Sequence, residues 1–155
     1  MTLDEFFGIG RTVTLGSHKF EPEEIKTFAA KYDPQPFHLD ERLAEASVFG
    51  RLCASGWHTA SMWMRYNLAS QAIEGERWTG PGPKPEFGPS PGFKNLKWLK
   101  PVYAGETVTF TRTGISHRPI VSRAGWRLLI LRAEASDSTG DKVLDFESAV
   151  MVKMG

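Results

Sequence analysis

The chain has 155 residues, a length typical of one domain with a substantial core, so we expect a single domain over residues 1–155. Lys and Arg (19) nearly balance Asp and Glu (18), so the net charge of +1 gives no electrostatic reason to expect nucleic acid or an anionic membrane as partner. The single cysteine, Cys53, excludes an internal disulfide and a zinc cage built from several cysteines of one chain. A small molecule is therefore the expected ligand.

The compartment expected from the sequence is the cytoplasm. The first residues carry acids where a secretory signal carries bases. No apolar run reaches the roughly 18 residues needed to span a bilayer. A lone cysteine also fits a reducing compartment.

The N-terminal part of the chain predicts a short strand followed by helices and a rigid loop. Residues 12–15 alternate polar and apolar side chains, as in a strand, and residues 20–30 predict a helix with Pro22 near its start. The segment 31–37 contains two prolines and cannot continue this helix, so it predicts a fixed loop. Residues 39–49 predict a second, short helix.

The rest of the chain predicts one buried helix and an antiparallel sheet. Ser55 is a plausible N-cap for a helix over residues 57–69, whose large apolar residues on several sides indicate burial. Residues 75–92 are rich in Pro and Gly and predict a long loop that could border a binding cleft. Period-two runs then predict four strands, near residues 96–99, 106–110, 126–133 and 143–152. This order predicts an α+β fold, with one long apolar helix against a curved antiparallel sheet.

Asp33 and His38 are the residues best suited to proton transfer. They are five positions apart in a loop stiffened by Pro34 and Pro36, so their side chains can converge on one water. Taken alone, an Asp and a His at this spacing are more often structural, because Asp is a routine turn residue. The surrounding motifs favour the catalytic interpretation.

Three segments resemble one protein family. The run Tyr32-Asp33-Pro34-Gln35-Pro36-Phe37-His38-Leu39-Asp40 resembles the Asp-x-Asn-Pro-x-His-x-Asp signature of the MaoC-like dehydratases and (R)-specific enoyl-CoA hydratases. Ala54-Ser55-Gly56-Trp57 resembles the Ala-His-Gly-Met that opens the central helix of the family. Residues 96–107 resemble its Arg-Phe-x-x-Pro-Val-x-x-Gly-Asp-Thr block. The three segments occur in the family's order and cover most of the chain.

The resemblance implies a hot-dog fold and a hydro-lyase reaction on an acyl thioester of coenzyme A or acyl carrier protein. It implies that Asp33 and His38 hold a water that adds across the double bond of a 2-enoyl thioester, with Asp33 activating the water and His38 exchanging the proton at the carbon next to the carbonyl. Gly56, at the start of the predicted helix, offers a backbone N–H aligned with the helix dipole, which suits the developing oxyanion. A glycine there also has a simpler explanation in close packing.

Three further residues are expected to support the site. Gln35 stands where the family has Asn, and its longer side chain can still bond the loop backbone or the water. Ser55 replaces the usual His at the start of the helix. Ser61 matches a family serine that supports the aspartate, although a serine in a helix often bonds back to a preceding carbonyl. These departures indicate a divergent branch and leave the substrate open.

The remaining polar candidates are weaker. His58 is more typical of a core residue than of a site residue, and His18 and His117 have no metal-ligand spacing, so we expect no metal and no redox cofactor. Coenzyme A or acyl carrier protein would enter only as part of the substrate. Several basic residues could receive coenzyme A phosphates, namely Lys94, Lys97, Lys100, Arg118 and Arg123.

The substrate and the assembly are expected only in outline. Bulky Trp57, Met62 and Phe87 favour a restricted pocket for a short or substituted acyl group. A lone protomer of this fold leaves a sheet edge exposed, so we expect a homodimer whose two sheets join, compatible with further assembly into a tetramer or hexamer.

Two alternatives to a hydro-lyase remain. A hot-dog thioesterase commonly carries an acidic residue on the central helix, and residues 57–68 contain none. A non-catalytic acyl-binding subunit of a hetero-oligomer needs neither Asp33 nor His38, and both are present. Both alternatives are therefore weaker than the hydro-lyase.

Overall fold

The fold is described by a computed structural model, which describes residues 1–74 and 77–155. Among these residues, the structure has five helices in the first half of the chain: α1 (Leu3–Phe7), α2 (Pro22–Tyr32), α3 (Pro36–Leu39), α4 (Glu41–Glu45) and α5 (Gly56–Glu74). The described residues also form six strands: β1 (Thr12–Lys19), β2 (Glu86–Phe87), β3 (Gly92–Trp98), β4 (Thr107–Pro119), β5 (Trp126–Ser136) and β6 (Lys142–Lys153). The predicted order of a strand, then helices, then four strands is confirmed from β1 onwards, but the sequence analysis did not predict α1 or the short strand β2.

All six strands form one antiparallel sheet. Its order is β1-β4-β5-β6-β2, and β3 also pairs with β6. The register between β3 and β6 shifts between Lys94 and Lys97, where Asn95 adopts the left-handed conformation with φ 57°. Among the described residues, no strand pairs with the other edge of β3. Within these residues, β3 therefore keeps one edge unpaired.

The core lies between α5 and one face of the sheet. From Val108 to Arg112, every second residue of β4 points to this face and is buried. Val108 and Phe110 on β4 are fully buried, as the period-two pattern predicts. Trp63 of α5 is also fully buried, and its indole N–H donates to the Thr111 carbonyl at 2.9 Å. Burying a side chain of this size stabilises the fold by about 2–3 kcal/mol. The helix is thereby fixed against the sheet.

Burial of α5 is less complete than its composition predicts. Trp63 and Met62 are buried, but Trp57, Met64 and Leu68 are exposed. Because α5 packs on the sheet with one side only, the apolar residues on its other side are left uncovered in a single protomer.

The segment between α2 and α5 also differs in detail from the prediction. The predicted loop over residues 31–37 ends earlier, because Pro36 begins the short helix α3. The predicted helix over residues 39–49 is reduced to α4, because Asp40 has an extended backbone that ends α3. The Asp40 carboxylate then caps α4 by accepting from the Leu43 N–H.

The Pro- and Gly-rich stretch contains one short element. Within the predicted loop over residues 75–92, β2 pairs with the end of β6, whereas residues 75 and 76 lie outside the described residues. Trp78 packs edge-on against Phe6 of α1, which ties this stretch to the N-terminal helix. In the part of the chain that the structure describes, no helix is long and apolar enough to cross a membrane.

Candidate active site

Asp33 and His38 lie on one wall of a cavity of about 460 Å³, called the main cavity below. Asp33 is the C-cap residue of α2, and its N–H donates to the Ala29 carbonyl. Pro36 then starts α3, at a position where its missing N–H leaves no helical hydrogen bond unmade, and α3 carries His38. The Asp33 Oδ2 and His38 Nε2 atoms are 3.5 Å apart. The structure therefore brings the predicted pair together.

His38 is buried and held in one orientation by the backbone. Its Nδ1 lies 2.6 Å from the carbonyl oxygen of Cys53. A carbonyl oxygen can only accept, so Nδ1 carries a proton and Nε2 is the nitrogen turned towards Asp33. The ring of Phe37 packs edge-on against the imidazole, with centroids 4.6 Å apart. Nε2 is thus the position at which His38 can accept or release a proton.

Both oxygens of the Asp33 carboxylate accept hydrogen bonds from neighbouring side chains. Gln35 Nε2 donates to Oδ1 at 2.6 Å, and Ser55 Oγ donates to Oδ2 at 2.7 Å. Ser55 Oγ also accepts from the Trp57 N–H at 3.3 Å, so it caps the first turn of α5. Gln35 and Ser55, the two departures from the family signature, therefore both contact Asp33.

Gly56 opens α5 beside this pair and lines the main cavity. Within the described residues, no group accepts a hydrogen bond from the Gly56 N–H. The indole of Trp98 packs on the glycine, and a Cβ at this position would lie 2.4 Å from Trp98 Cε2. Glycine is thus required here for packing, and its N–H at the positive end of the helix dipole is free to bind an anionic oxygen.

Ser61 lies away from the pair. It is exposed, and its Oγ donates to the Trp57 carbonyl at 2.7 Å within the same helix. Five residues along an α-helix correspond to a rotation of about 140°, which directs Ser61 away from the face that carries Gly56. Thr59, three residues after Gly56, lies on the cavity face and lines the cavity, and the same helical spacing could have identified it from the sequence.

The buried apolar lining of the main cavity was not predicted. It consists of Cys53, Ala54, Val102 and Val143. Burial raises the pKa of the Cys53 thiol to about 11, so this thiol is protonated at neutral pH. Ala54 and Val102 lie in segments that resemble the family, but no local signal places them in one cavity with Cys53 and Val143, because the fold brings them together from three separate segments.

Of the three residues predicted to restrict the pocket, one lines the main cavity. Trp57 lines it, whereas Met62 does not and Phe87 packs in a separate cluster with Phe7. Phe37, Phe49 and Trp98 are further aromatic side chains that line the cavity with Trp57.

The basic residues proposed to bind phosphate are mostly elsewhere. Lys100 alone lines the main cavity, and its Nζ donates to Asp137 at 2.7 Å and to Asp141 at 3.0 Å. The hydrogen bond to Asp137, with the one to Asp141, raises the pKa of Lys100 above its ordinary value. Lys94 pairs with Glu147 on the neighbouring strand.

The remaining histidine on α5 belongs to another cluster. His58 is buried, stacks on Phe28 and does not line the main cavity, in agreement with the predicted core position. Its Nε2 donates to Glu24, which also accepts from His18. In the described part of the chain, no group of three His, Cys, Asp or Glu side chains is arranged to hold a metal ion.

Known proteins resemble this chain in sequence and in structure. The sequence profile of the MaoC-like domain family matches residues 7–118. A MaoC-like dehydratase from Rhodospirillum rubrum superposes with a TM-score of 0.79 and 30% identity, covering 100% of this chain and 98% of that chain. Among curated proteins, the uncharacterised protein YdeM of Bacillus subtilis is 39% identical over 62 residues. That match covers 40% of this chain and 43% of YdeM, less than half of the relative's length.

More distant solved structures share the fold. The (R)-hydratase from A. caviae involved in PHA biosynthesis has a TM-score of 0.66 and 24% identity, covering 95% of this chain and 96% of that chain. The HadBC (3R-hydroxyacyl-ACP dehydratase) complex from Mycobacterium tuberculosis gives a TM-score of 0.68 at 15% identity, covering 90% of this chain and 93% of that chain. Together with the Rhodospirillum rubrum structure, these matches confirm the predicted hot-dog fold.

Proposed function

The chain belongs to the MaoC-like dehydratase family, and from this premise we propose that it is a hydro-lyase acting on acyl thioesters. The reaction is the reversible hydration of a 2-enoyl thioester of coenzyme A or acyl carrier protein to the 3-hydroxyacyl thioester. The observation that carries the proposal is the Asp33–His38 pair, whose facing atoms are 3.5 Å apart at the wall of the main cavity. Family membership supports hydration as the reaction type, and the Asp33–His38 pair supports proton transfer to and from the substrate.

A water bound at the side of the pair lies within hydrogen-bond reach of both facing atoms, which are 3.5 Å apart. A water that contacts both Asp33 Oδ2 and His38 Nε2 can be deprotonated by the carboxylate as its oxygen bonds to C3 of the enoyl group. His38, protonated at Nε2, then donates its proton to C2. Transfer of the proton from Asp33 back to His38 restores both groups, so the reaction consumes one water and no other reagent.

The carbonyl of the thioester needs a hydrogen-bond donor during this step. Negative charge develops on its oxygen as C3 is attacked, and a preorganised N–H at that position lowers the barrier. The free N–H of Gly56 at the start of α5 is the donor that we assign to this role. Ser55 and Gln35 support the pair by fixing the Asp33 carboxylate.

Hydration requires no redox cofactor in this proposal. It moves a hydroxide and a proton and leaves the oxidation state of the substrate as a whole unchanged. Coenzyme A or acyl carrier protein participates only as the thiol component of the substrate. We assign no metal to the reaction, because the Asp33–His38 pair and the Gly56 amide supply the base, the acid and the oxyanion donor.

We also propose that the functional unit is a homodimer. The free edge of β3 adjoins an apolar cleft between α5 and the sheet, which includes Met64, Phe93 and Leu96. Phe93 is 58% exposed in the protomer. An unpaired edge beside exposed apolar side chains is a surface that proteins usually cover. A second copy that pairs its β3 with this edge would join the two sheets.

The test is hydration by purified protein of 2-enoyl thioesters, followed by loss of absorbance of the conjugated double bond. We expect turnover by the wild type and its loss in Asp33→Asn and His38→Ala, by at least about a hundredfold, the lower range for removing an acid or base. Asp4→Asn is a matched control, because Asp4 carries an exposed carboxylate that pairs with His117 away from the cavity. Full activity in Asp33→Asn or His38→Ala would contradict the assigned roles.

The same assay separates the two alternatives. Release of free thiol from a saturated acyl thioester would indicate a thioesterase, although the first turn of α5 carries no acidic residue in the structure. Binding of acyl thioesters without any turnover would indicate a non-catalytic subunit that requires a partner chain.

A further inference from the structure

Thr59 of α5 carries a hydroxyl that no protein group binds within the described residues. The residue is only 2% exposed, and Thr59 Oγ1 makes no hydrogen bond to any of these residues. By comparison, the hydroxyl of Thr27 on α2 donates to the Glu23 carbonyl at 2.8 Å, one turn before it. Thr59 is therefore an exception to the rule that buried polar groups have a hydrogen-bond partner.

The reason lies in the acceptor that a helical threonine commonly uses. A threonine hydroxyl in a helix can donate to a carbonyl three or four positions back. The carbonyl four positions before Thr59 belongs to Ser55, and it already accepts from the His58 N–H at 2.9 Å and from the Thr59 N–H at 3.2 Å. Because a carbonyl oxygen has two lone pairs, this acceptor is fully used and leaves the Thr59 hydroxyl unbound.

The hydroxyl of Thr59 opens onto the main cavity. In the described part of the chain, the buried side-chain polar atom that lacks both a partner and accessible surface is His58 Nδ1, so the unpartnered Thr59 Oγ1 retains accessible surface. Thr59 lines the main cavity together with Gly56. Cβ atoms of a helix tilt towards its N-terminus, so the Thr59 side chain leans towards the first turn of α5, which Gly56 begins. The hydroxyl and the free Gly56 N–H thus adjoin the same cavity at the start of α5.

A substrate that fills the main cavity takes the Thr59 hydroxyl out of reach of solvent. A buried hydroxyl without a partner is unfavourable, so the bound substrate has to offer an acceptor. An enoyl thioester offers its carbonyl oxygen, which has two lone pairs, whereas its hydrocarbon chain offers none. The proposed function assigns one of these lone pairs to the Gly56 N–H, and the second is open to Thr59.

We propose that Thr59 is a second donor to the thioester oxygen and forms, with the Gly56 N–H, a two-donor oxyanion site. This inference rests on the proposed function, because it assumes an acyl thioester in the main cavity. The Thr59 hydroxyl donates to the carbonyl oxygen while negative charge develops there during attack at C3, and a hydrogen bond to a charged acceptor is stronger than one to a neutral acceptor. Thr59 is thereby a catalytic residue, since it contacts an atom whose charge changes in the reaction.

The kinetic test replaces the hydroxyl by a methyl group in Thr59→Val, which preserves the branched shape of the side chain. On an enoyl thioester that the wild type hydrates, we expect kcat to fall by at least about tenfold and KM to change by less than about threefold, because the lost hydrogen bond is strongest in the transition state. Thr59→Ser keeps the hydroxyl and is expected to hold kcat within about fivefold of the wild type. Thr27→Val makes the same substitution on α2, outside the main cavity, and should leave kcat unchanged.

Two further measurements distinguish a catalytic hydroxyl from a structural one. A saturated acyl thioester, isotopically labelled at its carbonyl carbon, cannot be hydrated, and the infrared stretch of that carbonyl reports the hydrogen bonds to its oxygen. We expect the bound carbonyl to absorb at higher frequency in Thr59→Val than in the wild type, because one donor is missing. We also expect the Tm of Thr59→Val to be no lower than that of the wild type, because the substitution removes an unpartnered polar group from a buried position.

Three results would overturn the inference. An unchanged kcat in Thr59→Val would mean that the hydroxyl does not act in the reaction. A lowered kcat with an unchanged carbonyl stretch would place the hydroxyl on the water of the Asp33–His38 pair. A marked loss of Tm or of folding in Thr59→Val would assign the hydroxyl to the fold. Absence of turnover by the wild type on every enoyl thioester would instead contradict the proposed function, and the stretch of the saturated thioester would still test Thr59 separately.

Discussion

At the scale of single residues, the candidate site depends on how firmly Asp33 is held. Each carboxylate oxygen accepts one side-chain hydrogen bond, from Gln35 and from Ser55, while Oδ2 also faces His38. Hydrogen bonds to a charged acceptor are roughly twice as strong as neutral ones. Although Gln35 and Ser55 differ from the family signature, they restrict the carboxylate to one orientation. Both groups of the pair are thereby kept within reach of one shared water.

Ser55→Ala is expected to lower kcat by about tenfold while leaving KM within about twofold, because it removes one charge-assisted hydrogen bond from Asp33 and no surface of the cavity. Steady-state kinetics on an enoyl thioester provide the measurement. Ser47→Ala is the matched control, because Ser47 Oγ donates to the Ala44 carbonyl and Ser47 does not line the main cavity. An unchanged kcat in Ser55→Ala would mean that Gln35 alone orients the carboxylate.

At the scale of elements, a polar cluster joins three of them at the other end of α2. Glu24 of α2 accepts hydrogen bonds from His18 of β1, at 2.8 Å, and from His58 of α5, at 3.2 Å. Tyr66 of α5 is hydrogen-bonded to the remaining ring nitrogen of His18. Because Asp33 is the C-cap residue of α2, fixing the first turn of α2 against α5 also fixes where Asp33 lies.

Acid is expected to destabilise the fold through His58. Desolvation lowers the pKa of His58 below its usual 6.5, although the hydrogen bond to Glu24 partly opposes this. Between that lowered value and 6.5 the unfolded chain binds more protons than the folded one, so the free energy of unfolding falls as pH decreases below about 6.5. His58→Phe, which keeps a ring to stack on Phe28, should show a smaller fall in Tm between pH 7.5 and 5.

Calorimetry of both proteins across this range provides the test. His117→Phe is a suitable comparison, because His117 pairs with Asp4 and lies outside the cluster. Identical slopes of Tm against pH in the wild type and in His58→Phe would show that other groups govern acid unfolding.

At the scale of the whole molecule, one protomer leaves part of its apolar surface uncovered. Met64 and Leu68 of α5 and Phe93 of β3 are exposed, although the sequence pattern of α5 indicated a buried helix. A helix that packs on one sheet with one side can bury its other side only against a further layer. The free edge of β3 lies next to these residues, so the proposed second copy of the chain would cover them.

Phe93→Asp is expected to convert the proposed dimer to a monomer, because it places a charge in an apolar contact and beside a paired strand edge. Sedimentation at micromolar concentration measures the change in mass. Val121→Asp is the control, since Val121 is 98% exposed in the turn between β4 and β5 and should leave the mass unchanged. A wild type that sediments as a monomer would contradict the dimer itself.

The sequence by itself determined the features that depend on neighbouring residues. Two prolines within three positions end α2 and keep Asp33 and His38 close, whatever the rest of the fold does. The strand periodicity likewise follows from alternating side chains, as the buried Val108 and Phe110 illustrate. These local rules were sufficient for the α+β class and for the proximity of Asp33 and His38, whereas the catalytic interpretation of the pair rested on the resemblance to the family.

Only the tertiary structure decided the contacts between distant segments. The hydrogen bond from His38 to Cys53 spans 15 positions and the one from Ser55 to Asp33 spans 22, and neither follows from any local spacing. The packing of Trp98 on Gly56 joins a strand end to a helix start, so it depends on how the sheet curves around α5. Local patterns fix which residues can share an element, but the packing of elements fixes which residues share a cavity.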